Sequence, residues 1–63
     1  MAYLTKDIVK KALYNDIDAQ YAIGCWFYEN QTVGNAYFWA TAAAQQGHFE
    51  AVLMLKKLNS DKG

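Results

Sequence analysis

Proline is absent from the 63 residues, and glycine occurs only at Gly24, Gly34, Gly47 and Gly63. Nothing in the chain therefore forbids long stretches of hydrogen-bonded helix. Apolar residues recur at three- and four-residue intervals along four successive segments, the pattern of a helix with one buried face. The spacing predicts helices over Lys6–Tyr14, Asp18–Asn30, Asn35–Gln46 and Phe49–Leu58. Short turns make consecutive helices antiparallel neighbours. The expected fold is all-α: a single domain over residues 1–63, in which four short antiparallel helices form two helical hairpins and residues 59–63 fray.

Each segment names its own inward face and ends. The first has Ile8, Val9, Ala12 and Leu13 on one stripe, Thr5 as N-cap and Asp7 in the first turn, where a carboxylate opposes the helix dipole. Asn15 and Asp16 make the turn that follows, since short polar side chains tolerate left-handed backbone. In the second segment Ala19, Ala22, Ile23, Trp26 and Phe27 share a face, and Asp18 is the expected cap. In the third, Ala36, Trp39, Ala40 and Ala43 do so, and Gly47 closes the helix. The fourth turns Ala51, Met54, Leu55 and Leu58 inward behind a His48 cap, and Lys56 and Lys57 suit its C-terminal dipole.

Size limits what can hold such a fold together. A chain this short buries only about 60% of the surface exposed when it is unfolded. The usual supplements are disulfides, metals or oligomerisation. Cys25 is the one cysteine and His48 the one histidine, too few for an internal bridge or a structural zinc site, and no cofactor or metal is expected. That leaves packing and self-association, for which a hydrophobic fraction of 54% supplies material. Six basic and six acidic residues cancel, and only Lys6, Lys10 and Lys11 cluster, which argues against nucleic acid. The N-terminal run MAYLTKDIVKK lacks an apolar stretch of signal-peptide length, and no run is long enough to span a membrane. With one unpaired thiol, a cytoplasmic setting is expected.

Two stretches thirty-two residues apart echo each other: DAQYAIG from Asp18 and EAVLMLK from Glu50. A period in that range is typical of helical repeats. The run DAQYAIGCWF, followed by NAYFWATAAAQQGHFEA, resembles the SEL-one-like repeat, a two-helix relative of the tetratricopeptide repeat. Ala19, Tyr21, Ile23, Gly24 and Phe27 match its first helix, while Ala36, Trp39, Ala43, Ala44 and Gly47 match its second. Ala51 opens the next repeat. The likeness covers about half the chain, with a shorter loop from Asn30 to Asn35 that lacks the family's usual glycine pair and aspartate. It implies a protein-binding scaffold: one repeat with half a repeat on each side.

A repeat cannot bury its stacking surfaces alone, so surfaces left over from the core become candidates for contact. Tyr21, Cys25 and Tyr28 line up opposite the core stripe of the second helix, Phe49 and Leu53 opposite that of the fourth. Tyr37 and Phe38 stand on the third, where Thr41, Ala42 and Gln45 add no charge, the composition of an interface core. Cys25 and His48 could form a nucleophile and base, but no third orienting group or oxyanion loop accompanies them. The expected function is a small, non-catalytic module that self-associates, with a dimer favoured, and binds a partner protein through these surfaces. The alternative is a stand-alone inhibitor, of the kind carried by bacteriophage or mobile elements, that blocks one host protein.

Overall fold

The structure, a computed structural model, describes residues 4–61. It is all-α: four helices, α1 (Lys6–Leu13), α2 (Ile17–Glu29), α3 (Val33–Gln45) and α4 (Phe49–Asp61), each packed on the next in the order of helical hairpins. The three connections are built alike. After α1, α2 and α3 the chain enters the left-handed region at Asn15 (φ 72), Gln31 (φ 62) and Gly47 (φ 93). The amide after each of these residues then bonds back across the helix end: Asp16 N–H to the Lys11 carbonyl at 2.9 Å, Thr32 to Phe27 at 2.9 Å and His48 to Ala43 at 3.2 Å. These are Schellman closures, which satisfy carbonyls that a helix end would leave open.

In each case the residue after the left-handed position begins the next helix. Asp16 Oδ1 accepts from Ala19 N–H at 3.0 Å, and His48 Nδ1 accepts from Ala51 N–H at 3.1 Å. Thr32 holds the corresponding place before α3 without a side-chain cap bond. Asn15, Gln31 and Gly47 thus recur every sixteen residues, as do Asp16, Thr32 and His48, and two such steps make the thirty-two-residue echo.

Several ends differ from the sequence expectation. Asp16, not Asp18, caps α2: with the turn closed at Asn15, Asp16 has extended backbone (φ −75, ψ 114), while Asp18 stands exposed in the first turn. α3 starts at Val33 rather than Asn35, because Gln31 takes the left-handed position that brings Thr32 to the cap. α4 continues beyond Leu58 to Asp61, its last turns anchored by Leu58, which is buried to 1% exposure. Lys62 and Gly63 of the expected frayed tail lie outside the described residues. Thr5 and His48 cap as expected; Thr5 Oγ1 accepts from Ile8 N–H at 3.2 Å.

The core has two clusters. Ala12, Ala19 and Ile23 form one, with Ile8, Val9 and Trp39 against it; Ala36, Ala40, Met54 and Leu58 form the other, with Tyr21, Cys25 and Tyr28 against it. Phe27 packs on both. Gly24 is what brings α2 onto α3, since a Cβ there would lie 3.4 Å from the Ala40 amide nitrogen and 3.6 Å from the Ala36 carbonyl oxygen. Leu13, expected on the core stripe of α1, is instead 72% exposed, because α1 ends at that residue and the turn carries it past α2. Gln20, which the apolar periodicity passes over, is buried: its Nε2 donates to the Ala12 carbonyl at 3.2 Å, and its Oε1 accepts from Gln46 Nε2 at 2.8 Å. One side chain so ties together the ends of α1 and α3 and the start of α2.

The shared turn geometry predicts opposite effects at two equivalent positions. Gly47→Ala should destabilise the protein by about 1 kcal/mol, because a Cβ disfavours positive φ, whereas Gln31→Gly should stabilise it by up to about 1 kcal/mol. Urea unfolding followed by circular dichroism measures both, and equal effects of the two changes would contradict the turn assignment.

Candidate partner-binding groove

α2 and α4 run in the same direction with α3 between them in sequence, and an open groove of about 650 Å³ lies along the two. Tyr21, Cys25 and Tyr28 come to it from α2 at i, i+4 and i+7; Leu53 and Met54 come from α4. The charges at its edges are Glu29, Glu50, Lys56 and Lys57, and Ser60 completes the lining. The α2 side chains belong partly to the core, since all three pack against the Ala36–Ala40–Met54–Leu58 cluster. That corrects the sequence expectation of an α2 face opposite the core. α2 is covered from two sides, so its second stripe is half-buried rather than outward.

At one end of the groove the Tyr21 ring stacks on His48, with centroids 4.4 Å apart and planes inclined by 23°. His48 is fixed in turn: its Nδ1 holds the α4 cap, and its Nε2 lies 3.5 Å from Asp18 Oδ1. A side-chain hydrogen bond with Cys25, then burial, then the negative charges of a Cys25 thiolate and of Glu50 push the Tyr21 phenol up to about 12. Burial pushes the Cys25 thiol above its ordinary range, the charges of Glu29 and Glu50 add to this, and the Tyr21 hydrogen bond opposes it. A thiol so held is protonated at neutral pH and a poor nucleophile. At the other end the Lys57 ammonium stands 5.7 Å over the centre of the Tyr28 ring, within cation–π range.

Of the seven side chains expected at a partner surface, Tyr21, Cys25, Tyr28 and Leu53 come together here. Tyr37, Phe38 and Phe49 do not: all three are exposed, Tyr37 and Phe38 on α3 and Phe49 in the first turn of α4, away from the lining. Two of the lining residues that sequence reasoning missed stand thirty-two positions from ones it found. Lys57 answers to Cys25 and Ser60 to Tyr28, just as Leu53 answers to Tyr21, so the repeat period carried to the end of α4 would have located them. Glu29, Glu50, Met54 and Lys56 had no such signal.

Among the described residues, no group of three or more histidine, cysteine, aspartate or glutamate side chains is placed to hold a metal ion. No described helix is long and apolar enough to cross a membrane. Comparison of the chain with protein-family models, with curated proteins and with solved structures gave no match.

The hydrogen bond from Tyr21 sets a sign for Cys25 chemistry. Alkylation by iodoacetamide at pH 7.5 should be slower than that of a free cysteine, and Tyr21→Phe should slow it further, since the bond that favours the thiolate is gone. A pH profile of the alkylation rate checks this; a midpoint that moves down in Tyr21→Phe would contradict the assignment.

Proposed function

We propose that the protein is a small, non-catalytic interaction module that takes a segment of a partner protein into the groove between α2 and α4. The observation that carries the reading is the groove lining. Half-buried Tyr21, Cys25 and Tyr28 form one wall, and Leu53, on the other, keeps 46% of its surface exposed. Aromatic and aliphatic side chains held rigid by a core behind them lose little entropy on binding, which is what interface anchors need. Tyr21 and Tyr28 also present hydroxyl-bearing rings suited to a partly wet contact. Glu50 at one end, and Glu29 with Lys56 and Lys57 toward the other, favour a segment with an apolar centre and a basic group facing Glu50.

The likeness to SEL-one-like repeats points the same way, since in that family helical repeats serve as scaffolds for other proteins. The sixteen-residue recurrence of turn and cap supports reading the chain as repeat units. Cys25 acts in this reading as a packed side chain, and its lone thiol fits a cytoplasmic, reducing setting.

Panning a displayed library of random peptides against the immobilised protein tests the proposal, because the library samples every segment chemistry at once. The expected result is an enriched family of segments whose affinity falls about tenfold or more on Leu53→Glu or Tyr28→Ala, the range of an interface anchor. Phe49→Ser, outside the groove, should leave it unchanged. Enriched segments indifferent to Leu53→Glu and Tyr28→Ala would sink the reading, as would a failure to enrich any segment.

A further inference from the structure

Among the described residues, three of the apolar surfaces outside the core differ in charge. Along α1 and at its end, Val9, Leu13 and Tyr14 share a surface with Lys6 and Lys10. The α2–α4 groove carries both signs at its edges. The third, on α3, carries none: from Gln31 to Gly47 the sequence has no Asp, Glu, Lys, Arg or His. Along α3, Gly34, Phe38, Thr41, Ala42 and Gln45 fall on the side opposite the buried alanines, at the i−4, i+3, i+4 and i+7 positions around Phe38. Phe38 is 63% exposed, while a Cβ at Gly34 would meet nothing within 4 Å. The exposed Phe38 ring stands edge-on to the Trp39 ring, with centroids 5.2 Å apart, and the small side chains of Thr41 and Ala42 lie one turn along from it.

We propose that this face of α3 binds the same face of a second copy of the chain, in a two-fold dimer with the two α3 helices antiparallel. A two-fold interface sets a surface against itself, so any net charge on it meets like charge. The lysine-bordered face of α1 fails that condition and the neutral face of α3 meets it. Its shape is also self-complementary. In an antiparallel pair, Phe38 of each copy can seat against Thr41 and Ala42 of the other, a knob entering a gap in both directions.

Two of the polar groups near the contact cost little to cover. Thr41 Oγ1 donates to the Tyr37 carbonyl at 2.7 Å, so its hydroxyl proton is satisfied within the helix. Gln46, at the end of the face, spends its amide on Gln20 and on the Ala42 carbonyl. The inference is independent of the groove, which lies on α2 and α4.

A helix of thirteen residues is about 20 Å long, so the interface is small and the dimer should be weak, with a Kd on the order of 10 μM. Sedimentation equilibrium from about 1 μM to about 1 mM should follow a monomer–dimer curve, and Phe38→Glu should weaken association about 100-fold or more while circular dichroism stays helical. Leu53→Glu, in the groove, should leave the curve in place. In a Cys25→Ser background, Thr41→Cys lies beside the proposed axis and should cross-link to its twin under a mild oxidant. A monomer throughout the range would overturn the proposal, leaving the face to a foreign protein. So would a dimer that survives Phe38→Glu, an open-ended series of larger species, or a dimer in which Thr41→Cys fails to cross-link.

Discussion

The close approach of α2 to α3 at Gly24 is the contact on which the rest of the molecule depends. Gly24 faces the backbone of Ala36 and Ala40 and the Cβ of Trp39, and both alanines are fully buried. Six of the nine buried apolar residues among those described are alanines, so the core is closed by proximity of backbones rather than by filling a wide space with bulk. A larger side chain on the inner face of α3 would separate it from α2 and α4 and open both clusters at once, because Ala36 and Ala40 lie where the helices on either side converge.

That economy of volume explains the aromatic richness of so short a chain. A core built from alanine has little room for rings, so the rings line its margins. Trp39 packs at the edge of the Ala12–Ala19–Ile23 cluster, Tyr21 and Tyr28 at the edge of the other, and Phe38 projects outward. Tyr21 joins margin and frame, since His48, which it stacks on, is also the cap of α4. The groove is thus held by the same bonds that start the helix beside it, which keeps its shape from depending on a loop.

Much of this is legible in the residues alone. Four helices, their antiparallel order, the alanine face of α3, the closing role of Gly47 and the caps at Thr5 and His48 all follow from local spacing and residue chemistry. The misreadings share a cause. Assigning one buried face per helix suits a helix with one neighbour, but α2 packs against both clusters, so a one-face reading turns Tyr21, Cys25 and Tyr28 outward and passes over Gln20. The cap of α2 is displaced by two residues because Asp16 and Asp18 are equally good cap residues by type, and only the left-handed turn at Asn15 selects between them.

The sequence by itself determined what can be decided within one turn of helix: where helices form, which residues end them, and that the turn positions recur. Those are short-range matters of dihedral preference and hydrogen bonds between near neighbours. Only the tertiary structure decided which apolar residues became core, groove or open face, because that depends on how many helices surround each one. Tyr21 and Leu53 stand at equivalent positions of the echo and line the same groove, while Phe38, as apolar as either, lies on the far side of α3. The difference arises from α2 and α4 meeting along one side of the bundle, a relation between residues about thirty positions apart that no local pattern encodes.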